Sequence, residues 1–214
     1  MSNSAPAFTL FHHPHSRSTG VLTLLEELGA PYQLKVLNLQ AGDQRQAAYL
    51  AVNPMGKVPA LLHGDALVTE QVAIYIYLAD LFPQAALAPG LSDPLRGPYL
   101  RWMAFYAACF EPALIDKSLK REPAPRGNCP YGDFDTMVNT LNGQLAKGPY
   151  MLGETFSALD VLWATSLGWT TQFGMLPVTP DIKAYMERVN ARQAVARTAK
   201  INADILAQEV KTGT

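Results

Sequence analysis

Residues 53–62 read NPMGKVPALL, and further along the chain comes Thr69-Glu70-Gln71. The Val58-Pro59 pair lies between turn-forming residues and a short apolar run. Proline donates no hydrogen bond to a sheet ladder, and an X–Pro bond is the place where a cis peptide costs little. Glu70 is a lone acid that opens a strongly apolar segment. A rigid turn with an unpaired strand edge, beside a helix start that carries an acid, is typical of a peptide-binding surface.

The segments around this stretch predict a small α/β domain. Short apolar or alternating runs predict strands, and apolar residues at helical spacing, closed by Gly29 in the first case, predict helices. The predicted strands are 8–11, 32–37, 58–62 and 66–68, and the predicted helices are 16–28, 42–51 and 70–81. This order, β-α-β, α, β-β-α, is a thioredoxin-like pattern over residues 1–82.

The rest of the chain carries no strand signal. A proline-rich linker at 83–93 is followed by a domain at 94–214 that is predicted to be entirely helical. Its predicted helices are 99–120, 132–146, 157–173, 180–191 and 194–209. The chain is therefore expected to combine an α/β amino-terminal domain with an all-α carboxyl-terminal domain.

Composition excludes several classes of protein. With 214 residues, a net charge of −1 and 49% hydrophobic residues, the chain has enough apolar surface for a core and no basic patch for nucleic acid or a membrane surface. No apolar run reaches the roughly 18 residues that span a bilayer. Residues 1–6 lack the pattern of a secretory signal, and Cys109 and Cys129 are no close pair, so we expect a cytoplasmic protein.

The chain resembles the soluble glutathione transferases. The resemblance covers nearly the whole length, is most specific over residues 8–82, and points to the bacterial, theta-like, serine-type members. The matching stretches are FTLF (8–11), PHSRS (14–18), LLEELGAPY (24–32), residues 53–62, LVTEQVAIYIYL (67–78) and FSALD (156–160). It implies the same thioredoxin-like domain followed by helices.

The resemblance assigns the thiol of glutathione to Ser16, with Ser18 as the second candidate because loop length varies in the family. Neither a tyrosine nor a cysteine, which other branches use, is present at this point. Taken alone, Ser16 is a common helix N-cap. The same location favours a thiolate, because a helix amino terminus favours negative charge and a positive surrounding lowers a thiol pKa.

The resemblance also implies how glutathione is held. A cis Val58–Pro59 bond would present the backbone of Val58 to the cysteinyl unit, in the manner of an added strand. Glu70 would pair with the γ-glutamyl amine. Gln71 stands where the family usually has a small hydroxyl residue for the γ-glutamyl carboxylate. Lys57 would reach the glycyl carboxylate, although a solvated lysine explains it as well.

The sequence identifies the pocket for the second substrate less specifically. Tyr106, Trp102 and Phe105 are candidates for an apolar pocket, or else residues of the core or an interface, and His15 would border the thiol site. His12, His13 and His15 do not predict a metal site, because neighbouring strand residues point to opposite faces and no further ligand lies near in sequence. No metal cofactor is expected.

Ser157-Ala158-Leu159-Asp160 has the Ser-x-x-Asp spacing of a capping box before an apolar run. We interpret it as structural, because a capping box satisfies backbone donors at a helix start. The family carries the same box at the buried helix of its second domain.

The resemblance therefore implies an enzyme that conjugates the glutathione thiolate to small apolar electrophiles, a detoxification reaction, and that works as a homodimer. Two other functions stay open: glutathione-dependent disulfide reduction, and a non-catalytic binding or assembly role on the same fold. The sequence does not separate conjugation from disulfide reduction. Gln71 is the one feature that favours the non-catalytic role.

Overall fold

The computed structural model describes residues 8–212 of the chain. Residues 1–6, on which the prediction about a secretory signal rests, lie outside the described residues. In chain order the elements are β1 (Phe8–His12), α1 (Ser18–Leu28), β2 (Tyr32–Val36), α2 (Ala47–Leu50), β3 (Ala60–His63), β4 (Ala66–Val68), α3 (Gln71–Leu81), α4 (Arg96–Phe105), α5 (Glu111–Ser118), α6 (Phe134–Leu145), α7 (Ala158–Gln172), α8 (Pro180–Asn190) and α9 (Gln193–Thr212).

The four strands form one sheet in the order β2-β1-β3-β4. β1 pairs in parallel with β2, and Phe8 lies opposite Tyr32. β3 runs antiparallel to both β1 and β4, and Ala60 lies opposite Phe11. The parallel pair needs the crossover that α1 supplies, whereas β3 and β4 are joined by a hairpin turn. This is the thioredoxin-like arrangement that the sequence predicts.

The apolar residues of α1 are buried, and the helix ends where the sequence predicts. Gly29 takes the left-handed conformation with φ 61°, and the N–H of Ala30 donates to the carbonyl of Leu25 at 3.1 Å. Glycine adopts this conformation without a side-chain clash, so it closes the helix and turns the chain toward β2.

The described residues group into two compact units, and the last helix does not belong to the second. Residues up to Ala85, together with those from Arg192 onward, form one unit, and Ala86–Ala191 form the other. Arg192 contacts Glu27 of α1 through two nitrogen–oxygen pairs at 2.6 and 2.8 Å, and Arg197 contacts Glu26 at 2.6 Å. The expected division at 94–214 differs here, because a helical pattern does not reveal which partner a helix packs against.

The second unit is helical, as predicted, and is built on an aromatic core. The ring of Trp163 in α7 lies 4.8 Å from Phe110, 5.5 Å from Tyr106 and 5.9 Å from Trp102, centroid to centroid. The predicted helix at 99–120 is present as α4, a π-helical stretch at Tyr106–Phe110 and α5. In the described part of the chain, no helix is long and apolar enough to cross a membrane.

Candidate functional site

The turn between β1 and α1 places Ser16 at the surface. Its hydroxyl donates to the carbonyl of His13 at 2.8 Å, and its oxygen accepts the N–H of Ser18, the first residue of α1, at 3.1 Å. The side chain remains partly exposed. Ser16 therefore satisfies one orphan donor of the helix, as an N-cap residue would, and still leaves its hydroxyl accessible.

Ser18, two residues later, is in a different environment. Its side chain is fully buried, at 0% exposure. The oxygen accepts the N–H of His13 at 3.1 Å and lies 2.8 Å from Nδ1 of His12 and 2.6 Å from the oxygen of Ser16. Ser18 is thus held by groups of the turn and of β1.

The direction of these hydrogen bonds follows from the contacts that Thr19 and Asn202 make at the other end of the same hydrogen-bond series. The Thr19 hydroxyl donates to the carbonyl of Pro14 at 2.7 Å, so its oxygen accepts from the Asn202 amide nitrogen at 3.2 Å. The amide oxygen of Asn202 then faces Nε2 of His12 at 2.8 Å, and this nitrogen must carry the proton. Nδ1 of a neutral His12 is therefore an acceptor, and the hydroxyl of Ser18 donates to it.

Burial determines the protonation state of His12. Removal from water lowers the pKa of His12 from 6.5 to about 4, so its imidazole is neutral near pH 7. With the Ser18 hydrogen committed to His12, the single hydroxyl hydrogen of Ser16 is shared between the oxygen of Ser18 at 2.6 Å and the carbonyl of His13 at 2.8 Å. Of the two serines, Ser16 is the one whose hydroxyl is partly exposed, so its hydrogen can turn from these neutral oxygens to an acceptor on a ligand.

The other two histidines of the turn lie beside each other, with ring centroids 5.8 Å apart. The N–H of His15 donates to Nδ1 of His13 at 3.1 Å, and the side chain of His15 is exposed. Burial lowers the pKa of His13 as well. Among the residues that the structure describes, no group of three or more His, Cys, Asp or Glu side chains could hold a metal ion.

The turn before β3 is held by side chains that the sequence analysis did not single out. The Asn53 amide nitrogen donates to the carbonyl of Lys57 at 2.9 Å, and its oxygen accepts the N–H of Met55 at 3.1 Å. The Tyr49 hydroxyl donates to the same carbonyl of Lys57 at 2.5 Å. An Asn-Pro pair is a turn signal, and it is the feature of the sequence from which this role of Asn53 could have been predicted.

Gly56 makes this turn possible. Its φ is +58°, and a Cβ at this position would lie 2.7 Å from the carbonyl oxygen of Gln44. Both the conformation and the close approach exclude a larger residue. The backbone that leads into Val58 is therefore fixed by the conformation of Gly56 and by the hydrogen bonds to the carbonyl of Lys57.

The Val58–Pro59 bond is cis, as predicted, and the Thr69–Glu70 bond is also cis. Within residues 8–212, neither the N–H nor the C=O of Val58 has a hydrogen-bond partner. Val58 is partly exposed, and the side chain of Lys57 is exposed. The main chain of Val58 is thus available to an added strand.

Glu70 and Gln71 lie where α3 begins. Glu70 is the N-cap residue, is exposed and makes no capping bond with its side chain. The Gln71 amide nitrogen lies 3.4 Å from the carbonyl oxygen of Arg17, the residue before α1. The amino termini of α1 and α3 are therefore close together, and both favour negative charge.

The candidate residues for thiol and peptide binding thus belong to one unit. The turn with Ser16 follows β1, β3 next to β1 follows Val58, and α3 begins beside Arg17. Sequence reasoning considered His12 only as a metal ligand and did not consider Asn202. No local signal identifies Asn202, because its partner His12 is 190 residues away in sequence.

The aromatic candidates lie in the other unit. Trp102 and Tyr106 are each only 2% exposed and pack on Trp163, so they are core residues, the alternative that the sequence analysis left open. Phe105 is partly exposed. Trp102 also lines a cavity of about 490 Å³ within the helical unit.

Comparison with known proteins places the chain in a family. Residues 6–80 match the family model described as glutathione S-transferase, N-terminal domain. The chain is 31% identical over 160 residues to glutathione S-transferase F9 of Arabidopsis thaliana, covering 69% of this chain and 74% of that protein. The chain belongs to the glutathione S-transferase family.

Two further relatives bear on the site. A glutathione transferase homologue from Sulfitobacter, solved with bound glutathione, matches with a TM-score of 0.75 and 28% identity over 92% of this chain and 98% of that chain. The disulfide-bond oxidoreductase YfcG of Escherichia coli (strain K12) is 26% identical and covers 88% of this chain and 92% of that protein. The fold is thus the glutathione transferase fold.

Proposed function

We propose that this protein is a serine-type glutathione transferase, similar to the bacterial theta-like members, in which Ser16 donates a hydrogen bond to the glutathione thiolate. One observation carries the proposal. Ser16 is partly exposed, so its hydrogen can turn from the neutral oxygens of His13 and Ser18 to a ligand, whereas Ser18 is fully buried and donates to His12. The glutathione-bound relative from Sulfitobacter supports glutathione as the substrate.

Glutathione lies along the surface formed by the turn before β3 and the start of α3. The free main-chain groups of Val58 pair with its cysteinyl unit, and Glu70 pairs with its γ-glutamyl amine. The Gln71 amide donates to the γ-glutamyl carboxylate, aided by the amino terminus of α3, since an amide nitrogen carries two hydrogens. Lys57 is exposed within this surface and binds the glycyl carboxylate.

The chemistry is attack of the thiolate on a small apolar electrophile. A donor hydrogen bond to a charged group contributes about 1.5–3 kcal/mol, which corresponds to a thiol pKa lowered by about 1–2 units. A thiol that normally titrates near 8.5 then forms thiolate close to neutral pH. Positioning the two reactants supplies the rest of the rate enhancement.

Within the helical unit, an apolar surface to which Phe105 contributes its exposed part is the candidate contact for the electrophile. Trp102 and Tyr106 support this surface from the core. Within the other unit, His15 borders the turn that carries Ser16. We further propose that the enzyme is a cytoplasmic homodimer that detoxifies electrophiles. Light scattering at micromolar concentration tests the dimer, and a monomeric mass would refute it.

The decisive experiment is a pH–rate profile with a generic aromatic electrophile for the wild type, Ser16→Ala and Ser18→Ala. Ser16→Ala should lower turnover more at neutral than at alkaline pH, where thiolate forms unaided, and should leave glutathione affinity nearly unchanged. A shifted profile for Ser18→Ala alone would move the assignment by two residues. If neither profile shifts, the serine mechanism fails for this protein.

Disulfide reduction is the second candidate, because the chain is similar over most of its length to a disulfide-bond oxidoreductase. Cys109 and Cys129 are both free and belong to the helical unit, not to the turn that carries Ser16. Comparing rates with a mixed disulfide and with an aromatic electrophile separates the two reactions. Absence of glutathione binding in a calorimetric titration would favour the non-catalytic role instead.

A further inference from the structure

A continuous series of hydrogen bonds leads from the last helix to the proposed thiol donor. It runs from Asn202 of α9 to His12 at 2.8 Å, from His12 to Ser18 at 2.8 Å, and from Ser18 to Ser16 at 2.6 Å. His12 and Ser18 are both fully buried, at 0% exposure. When each buried polar side chain of a series has its hydrogen-bond partner, with donor and acceptor fixed, it holds the next side chain in one orientation.

We propose that His12 and Asn202 are positioning residues of the thiolate site: Asn202 orients the imidazole, the imidazole holds the Ser18 hydroxyl inward, and Ser16 is thereby left as the hydroxyl that donates to the sulfur. This inference rests on the proposed function of Ser16.

The geometry shows how the imidazole acts on Ser16 without touching the ligand. Ser18 receives the N–H of His13 and donates to His12, so both the side chain and the start of α1 are anchored to β1. Ser16 in turn is held by the N–H of Ser18 and by the carbonyl of His13. Rotation about its Cβ–Oγ bond turns the hydrogen toward a thiolate, which is a stronger acceptor than a neutral hydroxyl oxygen.

His12 acts in this arrangement as a fixed acceptor and not as a base. Burial lowers its pKa to about 4, whereas the thiol titrates near 8.5 when unperturbed, so the proton of the thiol does not move to the imidazole. His13 lowers the pKa of His12 further, and Glu209 of α9 raises the pKa of His13 against the effect of burial. A neutral His12 keeps the Ser18 hydrogen directed inward.

The same contacts make α9 part of the site. Arg192 and Arg197 hold the start of α9 against α1 through Glu27 and Glu26. Asn202, later in the same helix, contacts His12 and Thr19. The amide of Asn202 determines which imidazole nitrogen carries the proton. The carboxyl-terminal helix therefore sets the direction of hydrogen bonds at the turn.

The experiment measures the pKa of the thiol of bound glutathione, from its ultraviolet thiolate absorbance, in the folded full-length protein. His12→Phe removes the acceptor for Ser18, and His12→Asn retains an oxygen that can accept from Ser18. Asn202→Ala removes the amide oxygen that orients the imidazole of His12. Asn142→Ala is the matched control, because Asn142 is a partly exposed amide in the helical unit with only a 3.5 Å contact to Thr179.

We expect His12→Phe to raise the thiol pKa by about one unit, a tenfold loss of thiolate at fixed pH. Asn202→Ala should raise it in the same direction, His12→Asn should recover most of the loss, and Asn142→Ala should leave it unchanged. Glutathione affinity should change less than the thiol pKa does. If His12→Phe does not fold, Asn202→Ala decides alone.

The outcomes separate this inference from the proposed function. If Ser16→Ala raises the thiol pKa and neither His12→Phe nor Asn202→Ala does, the positioning role is overturned and Ser16 stands. Equal rises in His12→Asn and His12→Phe would overturn the role of the Ser18 contact. If Ser16→Ala itself leaves the thiol pKa unchanged, the serine donor fails and the positioning role fails with it.

Discussion

Two helices of this chain begin beside a serine, and their surroundings differ. At the start of α7, Ser157 and Asp160 are almost fully buried, at 1% and 0% exposure. Asp160 accepts from the N–H and the hydroxyl of Ser157, from the N–H of Met151 and from the Tyr185 hydroxyl at 2.8 to 3.1 Å. The side chains of Ser157 and Asp160 thus have their partners inside the protein.

At the start of α1 the N-cap position is held by Arg17, whose side chain makes no capping bond. Ser16 provides a hydroxyl oxygen for one backbone donor and stays partly exposed. A serine at a helix start is therefore structural where its partners are internal, and available to a ligand where its hydrogen can leave a neutral acceptor for a charged one.

The largest effect that the comparison predicts is on stability, at α7. Asp160→Ala should lower the free energy of unfolding by about 3–5 kcal/mol, because it leaves buried donors without the charge they face. Burial raises the pKa of Asp160 to about 6, so the carboxyl is ionised at neutral pH and its four donors hold the buried anion. Urea unfolding at pH 7 measures the loss.

Asp181→Ala provides the control, because Asp181 is an acid in the first turn of α8 that is exposed. A loss of less than about 1 kcal/mol for Asp160→Ala would show that this box is no more than an ordinary cap.

The second prediction concerns the pH dependence of stability at α1. Because the pKa of His12 falls from 6.5 to about 4 on folding, the unfolded chain binds a proton in this range that the folded chain does not. Stability is therefore lost as the pH falls from about 6.5 to 4. The loss from this group amounts to about 3 kcal/mol.

Unfolding free energies of the wild type and of His12→Asn at several pH values test this. The wild type should lose more stability on acidification than the variant, since an amide does not titrate. Parallel curves for the two proteins would contradict the low pKa of His12 in the folded protein.

A third prediction compares the acids at two helix starts. Unlike Asp160, Glu70 at the start of α3 is exposed and makes no capping bond with its side chain. Glu70→Ala should leave stability nearly unchanged and weaken glutathione binding by about 2 kcal/mol, roughly 30-fold, because the bound amine loses its charged partner.

Calorimetric titration of the purified, folded variant measures this, with the exposed acid Glu154 changed to alanine as the charge-matched control. An unchanged dissociation constant for Glu70→Ala would remove Glu70 from the glutathione site.

Most of the fold was readable from local patterns, and the inner part of the site was not. Strand alternation, helical spacing and the closing Gly29 predict the sheet and α1, and the Ser-x-x-Asp spacing predicts the box at Ser157. These signals lie within a few residues of each other. The contacts of Asn202 with His12 and of α9 with α1 join the two ends of the chain, and no local pattern encodes them. For the same reason the sequence left Ser16 and Ser18 as alternatives: burial and hydrogen-bond direction distinguish them.

The smallest predicted effect compares the two serines directly. Ser157→Ala should lower the free energy of unfolding by about 1–2 kcal/mol, because its buried hydroxyl donates to Asp160. Ser16→Ala should cost about 0.5 kcal/mol, since water replaces the lost bond to the N–H of Ser18 at a partly exposed position. Urea unfolding of both variants without ligand measures the difference. Repeating the measurement with glutathione at saturating concentration and pH 7 extends it: the ligand should stabilise Ser157→Ala as much as the wild type. If Ser16→Ala instead proves the more destabilised of the two without ligand, the serine at α1 is the structural one, and the distinction drawn between the two helix starts is reversed.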